Sequence, residues 1–73
     1  MHFSLCRIYQ NQHEEKLKIR QKVFRIGRLV ESDLLLNCQS VSEKHAEIEK
    51  LEQSYWLVDL KSTNGSFCNQ QRI

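Results

Sequence analysis

Apolar and polar residues alternate along much of the chain, and this period of two predicts β-strands. Leu17 and Ile19, for example, are flanked by basic residues, which gives that segment one apolar face. Segments rich in aromatic and β-branched residues are separated by short polar stretches, as expected for strands joined by turns. The pattern predicts strands over 3–10, 16–20, 23–28, 34–36, 55–60 and 66–68, and turns over 11–15, 61–65 and 70–71.

One segment, residues 42–52, fits either a helix or a strand. Ser42 is a suitable N-cap, and Ile48 and Leu51 lie three residues apart, as on one face of a helix. Apolar and charged residues also alternate in this stretch, although a lysine interrupts the apolar positions. Taken alone, the segment favours a helix. The strands on both sides favour a β-sandwich, in which residues 44–51 are predicted to form one more strand.

The most apolar strand pattern lies over residues 55–60 and contains the single tryptophan. Trp56 and Val58 are expected on one face of this strand because successive side chains point to opposite sides. A large aromatic side chain brings the most apolar surface to a core. Trp56 is therefore predicted to be buried.

The composition fits one small domain over residues 1–73, with 40% hydrophobic residues. A single core of this size is marginally stable. The net charge of +2 comes from eleven basic and nine acidic residues that are interspersed. This balance is too even to predict nucleic-acid binding from overall charge, so anion recognition would have to be local. No apolar run approaches the ~20 residues of a membrane span, and no membrane association is expected.

The three cysteines, Cys6, Cys38 and Cys68, are odd in number and widely spaced. This pattern favours reduced thiols over a disulfide framework, and reduced thiols are typical of intracellular proteins. The sequence therefore predicts a nuclear or cytoplasmic location. Cysteines and histidines do not follow any of the short zinc-binding spacings. No metal, no cofactor and no catalytic residue are predicted.

Three polar motifs lie at or near the ends of predicted strands, and such loops cluster at one end of a β-sandwich. Together they supply an arginine, several hydroxyls and an asparagine amide. An arginine fork and a serine hydroxyl can meet the charge and the acceptor oxygens of a phosphate, and an amide can pair with a peptide backbone. The motifs cover residues 24–28, 41–46 and 59–67.

In their order and spacing these motifs resemble the forkhead-associated (FHA) family. The resemblance covers residues 23–73, the motif-bearing part of the chain. The matching stretches are Ile26-Gly27-Arg28, Glu31-Ser32-Asp33-Leu34, Val41-Ser42 with His45, Trp56-Leu57-Val58-Asp59-Leu60, Ser62-Thr63-Asn64-Gly65, Phe67 and Asn69.

The resemblance implies an all-β, two-sheet sandwich of the FHA (SMAD/FHA-like) type that binds phosphothreonine peptides and is not an enzyme. It also implies a phosphorylated protein partner in signalling, with DNA-damage or cell-cycle roles suggested by analogy. By motif position it assigns residues to the phosphate, to the peptide and to support of the loops. These are Arg28 and Ser42 for the phosphate; Thr63, Asn64, Lys44 and Glu43 for the peptide; and Gly27, His45 and Gly65 for the loops.

The chain departs from the family pattern at Glu43, at Ser40 (a basic residue in some members), at Gln70 (often a turn glycine) and in its length. Glu43 follows the phosphate-binding serine where the family often has a basic or polar residue. Its carboxylate is expected to weaken phosphate binding if it points into the pocket. The family pattern also continues with further strands, so the sandwich is expected to be incomplete at its C-terminal end. Unpaired strand edges would then favour aggregation or pairing with another chain.

Three alternatives stay open at the level of sequence. The first is a sandwich that mediates protein interaction or homodimerisation without phosphate dependence. The second is nucleic-acid binding, which is less favoured because no aromatic residues interleave with the basic ones. The third is a hydrolase, since Ser42, His45 and Asp59 have the residue types of a triad, although a G-x-S-x-G elbow is missing. The basic residues considered for nucleic-acid binding are Lys16, Lys18, Arg20, Lys22 and Arg25.

Overall fold

The computed structural model describes residues 3–8 and 12–73, which form eight β-strands. None of these described residues belongs to a helix that is long and apolar enough to cross a membrane. The predicted end of the first strand, at 9–10, and the predicted turn residue 11 lie outside the described part. The strands are β1 (Phe3–Ile8), β2 (Glu14–Ile19), β3 (Val23–Gly27), β4 (Leu34–Leu35), β5 (Ala46–Leu51), β6 (Ser54–Asp59), β7 (Phe67–Cys68) and β8 (Gln71–Arg72).

The strands form a four-stranded sheet and two hairpins. The sheet has the order β4-β3-β5-β6, with β4 parallel to β3 and the other neighbours antiparallel. β1 and β2 form the first hairpin, in a register that runs from Phe3 opposite Ile19 to Ile8 opposite Glu14. β7 and β8 form a short second hairpin whose turn residues, Asn69 and Gln70, have φ of 52° and 68°. Gln71, predicted as a turn residue, lies in β8 instead.

The segment with mixed propensity is a strand, as the sandwich prediction required. β5 pairs with β3 on one side and with β6 on the other, so it lies inside the four-stranded sheet. Ala46 and Ile48 are buried on one face, at 3% and 4% exposure. Hydrogen bonds on both edges and burial of alternate side chains therefore outweigh the helical propensity of this stretch.

The core lies between the first hairpin and the four-stranded sheet. Ile19 of β2 packs with Phe24 of β3, Leu34 of β4 and Ile48 of β5. Leu5 and Leu17 add to this cluster from the side of the hairpin. The two layers bury one small apolar cluster between them, which is the arrangement of a β-sandwich. Ile26, Leu36 and Tyr55 complete it from the side of the sheet.

The prediction that Trp56 is buried is wrong. Trp56 lies opposite Glu49, whereas its neighbour Leu57 lies opposite the buried Ile48. Paired residues share a face of the sheet, so Trp56 is on the outer face and is 56% exposed. The sequence was ambiguous because β6 carries apolar residues on both faces. Its pairing with β5 decides which face is inside. Tyr55 lies on that face and packs against the core, and Leu57 lies on the same face although it is 41% exposed.

This register predicts that Trp56 contributes much less to stability than Ile48. Trp56→Ala should lower the free energy of unfolding by about 1 kcal/mol, the centre of the range for single substitutions. Ile48→Ala should lower it by about 2–5 kcal/mol because it leaves a cavity in the core. Urea unfolding followed by circular dichroism measures both values. An equal loss for the two variants would contradict the register.

Candidate functional site

The polar motifs meet at one end of the four-stranded sheet and line a cavity of about 270 Å³. One side of the cavity comes from the end of β3, a second from the loop that leads into β5, and a third from the loop after β6. Strands that sit next to one another in the sheet bring together residues that are far apart in the sequence. The lining residues are Arg28, Gln39, Ser40, Val41, Ser42, Glu43, Thr63 and Asn64.

The end of β3 lies unusually close to the loop before β5. A Cβ atom on Gly27 would overlap the carbonyl oxygen of Glu43, so this position requires glycine. The close approach lets the backbone N–H of Arg28 reach the carbonyls of Ser42 at 3.2 Å and of Glu43 at 3.1 Å. Leu29 N–H donates to the same Glu43 carbonyl at 3.3 Å. Gly27 therefore fixes where Arg28 starts relative to Ser42.

The side chain of Arg28 is oriented by a second bond. Its Nε donates to the carbonyl of Val41 at 3.0 Å, while the residue as a whole is exposed. Nε is only one of the nitrogens of the guanidinium, and the terminal nitrogens have no hydrogen-bond partner among the described residues. They can present the paired donors that an arginine offers to a phosphate or a carboxylate.

Ser42 and His45 connect the loop before β5 to the loop after β6. The Ser42 hydroxyl oxygen accepts a hydrogen bond from Thr63 N–H at 3.0 Å. Its backbone N–H donates to Nδ1 of His45 at 3.0 Å, which makes Nδ1 an acceptor. The ring proton of a neutral His45 must then be on Nε2, which donates to the carbonyl of Gly65 at 3.0 Å. Both loops are held in place before any ligand arrives.

Two polar groups that line the cavity keep hydrogen-bonding capacity for a ligand. The Ser42 hydroxyl uses its oxygen to accept from Thr63, and its own hydrogen is left to donate. Asn64 donates from Nδ2 to the carbonyl of Ser40 at 2.8 Å, which leaves its amide oxygen as an acceptor. A donor and an acceptor that line the same cavity suit an anion attached to an extended peptide.

Asp59 anchors the loop after β6, a role that the sequence reading missed. Its carboxylate accepts from Ser62 Oγ at 2.5 Å, from Ser66 Oγ at 2.7 Å and from Ser62 N–H at 3.1 Å. Hydrogen bonds from the Ser62 hydroxyl and then from the Ser66 hydroxyl lower the pKa of Asp59 to about 2. Ser62 is buried. The spacing of an aspartate three residues before a serine was the available signal, because such side chains cap turns.

The residues predicted to contact the peptide do not all lie together. Thr63, Asn64 and Glu43 line the cavity with Arg28. Lys44 lines a neighbouring cavity of about 330 Å³ instead, and Glu43 borders both. Gln39 and Ser40 line the first cavity although they were not predicted as binding residues.

The arrangement does not form a hydrolase triad. His45 accepts from the backbone N–H of Ser42, and the Ser42 hydroxyl is bonded to Thr63. The Asp59 carboxylate is bonded to serines of its own loop. A nucleophile needs a base within hydrogen-bond reach, and this pairing is missing here. Within residues 3–8 and 12–73, no group of three His, Cys, Asp or Glu side chains is placed to hold a metal ion.

The sequence model of the FHA domain matches residues 24–73. This match covers more than half of the chain, and the chain belongs to the FHA family. The FHA domain is a binding module, and the two-layer β-sandwich is the fold expected for it.

Two characterised relatives are similar over part of this chain. The oxoglutarate dehydrogenase inhibitor of Corynebacterium diphtheriae is 40% identical over 45 residues, which are 62% of this chain and 32% of that protein. The transcriptional regulatory protein EmbR of Mycobacterium tuberculosis is 41% identical over 49 residues, which are 67% of this chain and 13% of EmbR. The chain therefore spans a third or less of each of these relatives.

Two solved structures share the fold at 32–34% identity. Mycobacterium tuberculosis EmbR in complex with a low-affinity phosphopeptide aligns with a TM-score of 0.78 and 34% identity, over 81% of this chain and 16% of that one. The second structure comes from a structural and functional analysis of phosphothreonine-dependent FHA domain interactions. It aligns with a TM-score of 0.74 and 32% identity, over 81% of this chain and 62% of that one.

The close approach at Gly27 yields a prediction about stability. Gly27→Ala would place a methyl group against the backbone carbonyl of Glu43, which cannot rotate away as a side chain can. We expect a loss of about 1–3 kcal/mol in the free energy of unfolding, the usual cost of overpacking. Urea denaturation of the variant measures it. An unchanged midpoint would show that this contact is not as tight as described.

The Asp59 hydrogen bonds predict a dependence of stability on acid pH. The pKa of Asp59 falls from 3.8 to about 2 on folding, so the unfolded chain binds a proton first as the pH falls. The stabilisation is complete above roughly pH 5, decreases as the pH falls through 3.8, and is lost below about 2. Asp59→Asn removes this term, so its melting temperature should approach that of the parent chain as the pH is lowered.

The control for this experiment is Asp33→Asn. Asp33 also accepts a backbone hydrogen bond, from Arg25 N–H at 2.8 Å, but it does not bind two serine hydroxyls. Thermal unfolding from pH 6 to pH 2 should show curves that converge with those of the parent chain for Asp59→Asn. Curves that stay parallel for both variants would count against the assignment to Asp59.

Proposed function

We propose that this chain is a phosphothreonine-binding module that recruits a phosphorylated protein. One observation carries the proposal: Arg28, Ser42 and Asn64 line the same cavity. Both donors are held by bonds to other groups and still retain hydrogens to give. The segments that carry these donors are hydrogen-bonded to one another in the structure.

The chemistry of a phosphorylated residue fits this cavity. A phosphate carries about −1.5 to −2 charge at pH 7 and has three acceptor oxygens. Arg28 would supply paired charged donors, and Ser42 would supply a hydroxyl donor. Asn64 would then contact the peptide backbone next to the phosphorylated residue. Thr63 takes part through its backbone, because its N–H holds the Ser42 oxygen in place.

The family supports the same ligand class. One similar structure contains a phosphopeptide, and the other comes from work on phosphothreonine-dependent FHA domain interactions. Both have the same fold as this chain with about a third of residues identical. Phosphothreonine is therefore the ligand to test first. Such a ligand implies an intracellular setting in kinase signalling. A nuclear, DNA-damage or cell-cycle role stays a prediction. Localisation of the tagged protein would test whether it is nuclear.

A second candidate is a protein-interaction or dimerisation module that does not depend on phosphate. Glu43 favours it, because this carboxylate borders the cavity and offsets the charge of Arg28. Exposed apolar side chains away from the cavity favour it as well; Trp56 is 56% and Phe67 58% exposed. The two candidates differ in one measurement. A phosphate-dependent module distinguishes a phosphothreonine peptide from the same peptide with threonine, and a phosphate-independent one does not.

The proposal predicts that Arg28→Ala abolishes most of the phosphopeptide binding without unfolding the protein. A charge-assisted hydrogen bond contributes about 1.5–3 kcal/mol, which is more than tenfold in affinity. Arg28 is exposed, so its side chain contributes little to the core. Fluorescence anisotropy with a degenerate phosphothreonine peptide library measures the affinity, with the threonine library beside it.

The matched control for Arg28→Ala is Arg20→Ala. Arg20 is also exposed, but it lies at the end of the first hairpin and away from the cavity. It removes the same charge, so equal losses in both variants would show a general electrostatic effect. Normal phosphopeptide affinity in a folded Arg28→Ala protein would overturn the proposed site.

A further inference from the structure

The larger cavity, of about 330 Å³, adjoins the proposed phosphate site and shares the wall formed by Glu43. Its surface combines two kinds of residue. Apolar groups line part of it, among them Leu29, Ala46 and Leu60. Charged side chains line the rest. A cavity with this combination suits a long amphipathic side chain, one with an apolar stem and a polar end.

Glu43 is held at the boundary between the two cavities. Its carbonyl accepts hydrogen bonds from Arg28 N–H and Leu29 N–H, and the same oxygen lies against Gly27. The backbone of this residue therefore cannot shift easily. Its side chain is exposed, and the carboxylate has no hydrogen-bond or ion-pair partner in the described part of the chain. A carboxylate that has no partner and extends from a fixed backbone at a cavity wall is available to a ligand.

The charges around the larger cavity favour a cation. Two basic side chains, Arg25 and Lys44, line it together with three acidic ones, Glu31, Glu43 and Glu47. The net charge of these five side chains is −1. Arg25 and Glu47 are opposite each other in the register of β3 and β5, so their charges offset locally. Glu43 is the acidic residue that also faces the phosphate site.

We propose that this larger cavity is a subsite for a lysine or arginine that flanks the phosphothreonine of the ligand, and that Glu43 selects it. The inference rests on the proposed function. A peptide that places its phosphate against Arg28 passes the shared wall, and an extended chain advances about 3.3–3.6 Å per residue. A basic residue within about three positions of the phosphothreonine can therefore lay its stem on Leu29 and Leu60, with its charged end at Glu43.

The effect should be a selectivity of moderate size. An exposed ion pair changes affinity by up to about fivefold, and replacing lysine by aspartate turns attraction into repulsion. We expect the Lys peptide to bind about tenfold more tightly than the Asp peptide at the favoured position. Screening by salt should reduce this ratio, because the pair is solvent-exposed.

The experiment measures dissociation constants for phosphothreonine peptides that carry a single Lys, Ala or Asp at each of the three positions on either side. The protein variants are the parent chain, Glu43→Gln, Glu43→Lys and Glu14→Gln. Glu14 is exposed in β2 and lines neither cavity, so it controls for the loss of one negative charge. The same peptides with unmodified threonine are measured in parallel.

The parent chain and Glu14→Gln should prefer Lys over Asp at one flanking position by about tenfold. Glu43→Gln should reduce the ratio to about threefold or less, and Glu43→Lys should reverse it. Phosphate-dependent binding without a Lys preference, or a preference that survives Glu43→Lys, would refute the subsite while the proposed function stands. Binding that ignores the phosphate in every peptide would refute the proposed function, and the subsite with it.

Discussion

The site depends on how closely the end of β3 approaches the loop before β5. Without a side chain at Gly27, the backbone of this strand reaches the carbonyl of Glu43, and Arg28 and Leu29 then donate to that loop. This contact sets the distance between the guanidinium that follows β3 and the hydroxyl that precedes β5. Any residue with a Cβ would push the two segments apart, so a single missing side chain determines whether a cavity can form.

The third side of the cavity is attached by a different kind of interaction. Ser42 bonds to Thr63 and to His45, and His45 bonds to Gly65, so the loop after β6 is tied to the loop before β5 by side chains. Asp59 holds the same loop from behind through its serines. Groups that are already held in place lose less conformational entropy on contact with a ligand than mobile groups do, which would favour affinity at the proposed site. The polar residues around the cavity are thus hydrogen-bonded to one another in the absence of a ligand.

Most of the strands and the loops of the candidate site could be predicted from the sequence, because both leave local patterns in it. Alternation gave most of the strands, and three short motifs identified the loops that the structure brings into contact. Trp56 was placed wrongly because its strand is apolar on both faces, and only pairing with β5 decides which face is inside. The position of Lys44 in a second cavity depends on tertiary structure in the same way. Which way a side chain leaves a loop depends on contacts between segments, and a single sequence does not contain them.

Glu43 contributes to the candidate site through both its backbone and its side chain. Its backbone is essential to the geometry, since its carbonyl receives the N–H groups that follow Gly27. Its side chain takes no part in these backbone hydrogen bonds, so a change of charge at this position leaves them in place. A carboxylate here lowers the attraction of the cavity for a bare phosphate. Specificity is a difference between affinities, and repulsion of the wrong ligand raises it as effectively as attraction of the right one. A negative charge beside an arginine is therefore consistent with a site that binds phosphate only as part of a suitable peptide.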